Sequence, residues 1–167
     1  GGNYNVVIGD EAGTALTTGD NNVAIGYAAL DAEDTGGNSV AIGYNALTAQ
    51  NNDAANYNTA VGASAGAAIT TGVQNTIVGA LAGDALTDAD FNVAVGINAL
   101  TSDTLGSQST AVGDNTLAAQ NFTTATDTHN VAVGISAGKS ITTGIRNTII
   151  GALAGDALTD ADENIAI

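Results

Sequence analysis

Asn22-Val23-Ala24-Ile25-Gly26 returns seventeen residues later as Ser39-Val40-Ala41-Ile42-Gly43, and again as Asn92-Val93-Ala94-Val95-Gly96 and Asn130-Val131-Ala132-Val133-Gly134. Working outward from this string, its glycine falls at positions 9, 26, 43, 62, 79, 96, 113, 134 and 151. The spacings are 17 residues except for 19 after Gly43 and 21 after Gly113. A fixed short period is the signature of a stacked repeat architecture, in which each unit buries its apolar face only against its neighbours. A longer self-similarity lies above it: residues 62–95 and 134–167 differ at nine positions, and the string at 79–90 returns unchanged at 151–162. Duplication of multi-coil blocks explains that pattern.

Within one unit, the residue before the glycine is always Ile or Val where a glycine follows: Ile8, Ile25, Ile42, Val61, Val78, Val95, Val112, Val133 and Ile150. Two residues earlier stands Val or Thr, and between them usually Ala. Side chains two apart share one face of a strand. A strand that is apolar on both faces is covered on both faces. The expectation is that the Ile/Val set fills the inside of a coil as its core, and that the Ala face lies against something else. Glycine then permits a sharp bend, Ala recurs three residues on, and a further Leu or Ile follows in several units (Leu16, Ile69, Leu86, Ile141, Leu158). Thr-Thr-Gly at 17–19, 70–72 and 142–144 marks a turn. Glycine density and β-branched residues disfavour helix. The chain reads as one all-β array over residues 1–167: a parallel β-solenoid, or β-roll, of about ten 17-residue coils about 4.8 Å apart. Insertions near 51–56 and 121–128 would bulge as loops, and the array reads as a segment of a longer chain.

The strand is preceded by Asn5, Asn22, Asn58, Asn75, Asn92, Asn130, Asn147 and Asn164, with Ser39 and Ser109 in the other two copies. Stacking would align these amides into a ladder. The residue before each is long or polar and variable, from Tyr4 to Glu163, as expected of a solvent-facing edge.

Composition narrows function. The chain has 22 Gly, no Pro, Cys, Met or Trp, four Tyr and two Phe, and a net charge of -15 with only Lys139 and Arg146 as fixed bases. That charge excludes a phosphate-binding surface, so nucleic acid and anionic membrane are poor partners. No apolar run is long enough to span a bilayer, and no signal-peptide pattern opens the chain. Catalysis has no footing: a single His129 in the second loop lacks the nucleophile and orienter of a triad. No cofactor is expected. Calcium is the one metal the sequence raises, through Asp84, Asp88 and Asp90, their repeats Asp156, Asp160 and Asp162, and Asp31, Glu33 and Asp34 in the equivalent unit, since clustered carboxylates suit a hard cation. The turn threonines Thr17, Thr70, Thr87, Thr104, Thr142 and Thr159 raise an ice-binding face. Asn121-Phe122-Thr123 is a sequon for glycosylation. Tyr27, Tyr44 and Tyr57 are the aromatic candidates for a receptor or glycan contact.

At Asn38-Ser39-Val40-Ala41-Ile42-Gly43 the chain resembles the head repeat of trimeric autotransporter adhesins, the YadA-like β-roll. Gly43-Tyr44-Asn45-Ala46-Leu47 resembles repeats of phage tail-fibre shafts and large bacterial surface proteins. The coils here are longer than those of the adhesin heads. The resemblance spans the chain and implies a homotrimer of left-handed parallel solenoids on a cell surface or virion, the other two subunits covering the second apolar face. The expected role is a structural, extracellular fibre shaft whose partner is itself. The alternative is a surface adhesin that binds a glycan or receptor directly.

Overall fold

The computed structural model describes all 167 residues and is all-β, with no helix. Twelve short strands occur in chain order: Val6–Ile8 (β1), Val23–Ile25 (β2), Val40–Ile42 (β3), Thr59–Val61 (β4), Thr76–Val78 (β5), Val93–Val95 (β6), Gly106–Ser107 (β7), Thr110–Val112 (β8), Thr126–Asp127 (β9), Val131–Val133 (β10), Thr148–Ile150 (β11) and Ile165–Ala166 (β12). Ten of them form one parallel sheet in sequential order, β1-β2-β3-β4-β5-β6-β8-β10-β11-β12, while β7 pairs only with β9. The register is in phase with the repeat: Ala24 faces Ala41, which faces Ala60 across the insertion. The molecule is a β-solenoid.

Strands of three residues cannot hold such a stack alone. Of 97 backbone hydrogen bonds, 78 lie outside the strands, and many of these also run from coil to coil. Gly13 N–H donates to the Ala29 carbonyl, Leu30 N–H to Ala46 and Thr17 N–H to Asp34. The ladder therefore extends round the circumference, and the turns satisfy their polar groups against the next coil.

In every coil stacked under another, the glycine that ends the main-sheet strand is required twice over. Gly62 has φ +141, and a Cβ there would stand 2.5 Å from the Gly79 carbonyl oxygen of the next coil. Other corners reach the left-handed region without glycine. The residue before each ladder position does so every time, from Tyr4 (φ 60) to Glu163 (φ 59). None of these ten is β-branched, as steric exclusion from that region demands. The corner throws one side chain into solvent and turns the next one, the Asn, inward.

The strand is turned opposite to the expectation from sequence. The middle residue faces the lumen: Ala24, Ala41, Ala60, Ile77, Ala94, Ala111, Ala132 and Ile149 are fully buried. The residues assigned as core lie on the outside. Ile8, Val133 and Ile150 are exposed, and Ile25, Ile42, Val61, Val78, Val95 and Val112 are only half-buried. The physical reason is lumen width. The opposite wall already fills it with Ala29, Leu30, Ala46, Leu47, Ile69, Ala82 and Leu86, all fully buried. A methyl group from the strand completes a packed interior, and a pair of branched side chains would overfill it.

Two ways of filling the lumen alternate. Some coils carry Leu four residues after the strand glycine: Leu30, Leu47, Leu100 and Leu117. The others carry Gly there (Gly13, Gly66, Gly83, Gly138, Gly155) with Leu or Ile three residues further on. The choices exclude each other, because a Cβ at Gly66 would meet Ile69 Cδ1 at 2.9 Å and Leu47 Cδ2 at 3.1 Å. Ile77 and Ile149 stand where two glycine-type coils follow one another, and each lies within about 3.1 Å of the space a Cβ at Gly83 or Gly155 would take. The sequence of coil types thus repeats every four coils, as residues 9–78 and 79–150, with the coil at 151–167 resuming the cycle.

Candidate functional site

Where Leu occupies the fourth position, the seventh is polar. Glu33, Gln50, Asp103 and Gln120 take the place of the aliphatic residue, and all four are fully buried. Each four-coil block therefore holds one carboxylate and one glutamine inside the solenoid. Glu33 Oε1 accepts the Gly36 N–H (2.7 Å), and Oε2 accepts from Gln50 Nε2 (3.0 Å) and Asn56 Nδ2 (2.9 Å). Asp103 Oδ1 accepts the N–H groups of Gly106 (3.1 Å) and Phe122 (2.9 Å), and Oδ2 accepts from Gln120 Nε2 (2.5 Å). A buried carboxylate is tolerable when donors surround it in this way. Both insertions close over their acid, and this gives them a structural role: they supply Asn56 in one block and the Phe122 N–H in the other.

The asparagine column forms a ladder that runs mainly through the backbone. Asn5 Oδ1 accepts the Asn22 N–H (2.8 Å), and Asn22 Oδ1 accepts the Ser39 N–H (2.9 Å). The same bond joins Asn58 to Asn75, Asn75 to Asn92, Asn92 to Ser109, Asn130 to Asn147 and Asn147 to Asn164. Each Nδ2 donates to a turn carbonyl, as from Asn22 to Gly36 and from Asn92 to Gly106. Amide-to-amide bonds join Asn75 to Asn58, Asn147 to Asn130 and Asn164 to Asn147. The ladder stops at Ser39 and Ser109, whose hydroxyls instead accept from Gln50 and Gln120 (3.0 and 2.8 Å). The serines are therefore part of the polar plug. Sequence reasoning noticed them as exceptions, placed Glu33 among the turn carboxylates raised for calcium and missed Asp103, although a polar residue at one repeat phase beside Leu was the available signal for both.

The aspartates proposed for calcium do not converge. Asp84 accepts from Thr101, Asp88 from Thr71 and Asp90 from the Val73 N–H, while Asp162 accepts the Ile145 N–H and Asp160 the Thr159 hydroxyl. Asp156 stands exposed, and no three acidic, His or Cys side chains gather in a metal-holding group. Five of the six turn threonines spend their hydroxyls on carbonyls of the next coil, among them Thr17 on Asp34, Thr87 on Thr104 and Thr142 on Thr159, while Thr159 bonds Asp160. Tyr27 and Tyr44 stack with ring centroids 5.4 Å apart. A hydrogen bond to the Glu11 carboxylate, then its charge, raises the Tyr27 phenol above its ordinary pKa. Tyr57 is exposed at a corner, and His129 is exposed in the same column. In the sequon, Asn121 is exposed while Phe122 is tucked inward.

The outward face of the sheet is the largest unexplained feature. Val or Thr and Ile or Val form two parallel columns along the rod, flanked by exposed Tyr27, Tyr44, Ile97 and Ile135. A parallel sheet ordinarily has both faces covered. Comparison with known proteins adds no relative: no family model, curated protein or solved structure matches the chain.

Proposed function

We propose that the protein is a structural shaft of an extracellular or virion fibre, assembled as a homotrimer through the outward Val/Ile face of its sheet. The carrying observation is that face: an unbroken Ile/Val column beside a column of Val and Thr on a parallel sheet, with side chains half-buried to exposed. Contiguous apolar surface of this extent marks an interaction site. The strict phase of the repeat makes the face regular along about 45 Å of rod, so a second copy in register meets the same surface at every coil. Backbone bonding round the whole circumference supplies stiffness, and the polar plugs fix the register of the coils. The NSVAIG resemblance supports three subunits and surface display. The subunit contact runs through Val and Ile, in place of the Ala face, because Ala is committed to the lumen.

Light scattering with negative-stain imaging of the same sample tests the proposal. The expected mass is three times the 16.2 kDa chain, in short rods. Val95→Asp with Val112→Asp is expected to give monomers whose far-UV circular dichroism is unchanged, since both side chains lie outside the lumen. A monomeric parent, or a variant that stays trimeric, overturns the assembly.

A further inference from the structure

One concavity is present, an open groove of about 550 Å³ lined by Phe91, Gln108 and His129. The three residues come from successive coils at the corner leading into the sheet. All have left-handed backbone, φ 60, 63 and 51, so their side chains project outward side by side, about one coil spacing apart. The main chain beneath them is fixed: Phe91 N–H donates to Val73 and Gln108 N–H to Asp90, and the carbonyl of Thr128 accepts from Arg146. The second insertion forms one flank. Its β9 pairs with β7 directly beside Gln108 and His129. Ser109, Thr128 and Gln120, the polar neighbours, bond to one another or to Asn130 inside the coil. The Gln108 amide and His129 imidazole are left facing the groove with their donors and acceptors unspent. Phe91 is half exposed and has no aromatic partner, the one ring stack being Tyr27 on Tyr44.

We propose that this groove is a saccharide subsite for a neutral hexopyranose unit. A flat aromatic ring offers its face to the C–H groups of a sugar ring. Two planar side chains, each with a donor and an acceptor, match adjacent hydroxyls. The net charge of -15 disfavours phosphate, sulfate and acidic sugars. The first block carries Asn21, Asn38 and Tyr57 at the same three phases and has no groove. The subsite depends on the geometry of three coils and stands apart from the trimeric shaft.

His129 is the only histidine, so its ring C–H resonances report on the groove without assignment ambiguity. The experiment titrates the full chain with the methyl glucosides, galactosides and mannosides, followed by proton NMR. Saturable movement of the His129 signals is expected with at least one of them. A dissociation constant on the order of 1–10 mM suits about a dozen heavy atoms in an open site. Phe91→Ala should weaken that binding about tenfold or more, and Tyr44→Ala should leave it unchanged. Ala already occupies a left-handed corner at Ala28, so the Phe91 variant keeps its fold. His129→Asn, followed by the Phe91 ring signals, is expected to weaken binding as an independent check. Absence of movement with every glycoside up to about 100 mM, or equal movement in Phe91→Ala, overturns the proposal. Light scattering on the same samples keeps this outcome separate from the fate of the trimer.

Discussion

Residues 9–78 and 79–150 solve one packing problem with different side chains. In the first block the acid is Glu33, long enough to be met by the side chains of Gln50 and Asn56. In the second it is Asp103, one methylene shorter, and the loop backbone comes to it through the Phe122 N–H. The position two before the ladder asparagine differs to match. Asn56 reaches the acid, whereas Thr128 bonds to Ser109 at 2.5 Å. The first arrangement leaves Asn56 Oδ1 buried without a partner. A one-atom change in the acid is thus taken up by the loop, while Gln50 and Gln120 keep identical roles. The conserved geometry belongs to the lumen, and variation is confined to the corner where an insertion can adapt.

The comparison breaks most sharply at the acids. Asp103→Ala orphans two buried backbone N–H groups, which cannot reorient, and Gln120. Glu33→Ala orphans one backbone group and two side-chain amides that can rotate. Asp103→Ala should cost about 3–5 kcal/mol and Glu33→Ala less, measured by urea unfolding; a larger loss at Glu33 would contradict the argument. Conversion of one coil type to the other tests the same rule by rescue. Leu30→Gly with Glu33→Leu should unfold at higher denaturant than either single change, because the pair restores the filling seen at Gly66 and Ile69.

Next in size are the strand centres. Ala60→Leu or Ala111→Leu overfills a lumen holding Leu47 or Leu117 and should cost about 1–3 kcal/mol. Asn52→Leu, in the loop, should stay within about 0.5 kcal/mol. Equal effects in thermal unfolding would mean that the Ala face is not the inner one. The smallest effect sharpens a surface difference between the blocks, since the Tyr27–Tyr44 stack is replaced by Ile97 and Asp114 in the second. Glu11→Ala removes both the acceptor and the charge that raise the Tyr27 phenol. Its ionisation should fall toward that of ordinary tyrosine, read as phenolate absorbance at rising pH. An unchanged titration would break that assignment.

Much of this was legible in the residues. The 17-residue spacing of glycine required stacked coils, the recurrent Asn marked a ladder, and the insertions showed as longer spacings. The plugs were less legible. Glu33 and Asp103 resemble turn residues unless read beside the Leu three positions earlier, and apart from the local Gly36 and Gly106 N–H groups their donors come from neighbouring coils 17 to 23 residues away. The groove was hidden for the same reason: Phe91, Gln108 and His129 become neighbours only through stacking.

The sequence by itself determined the period, the parallel β class and the positions that must be glycine, because each follows from spacing and from local backbone sterics. The tertiary structure alone decided which face of the strand is inside. A strand apolar on both faces satisfies the period-two rule in either orientation. The choice rests on the volume left by Leu30, Leu47, Ile69 and Leu86 from the opposite wall. That volume admits the Ala methyl and sends Val and Ile outward, where they become the surface through which the proposed trimer assembles.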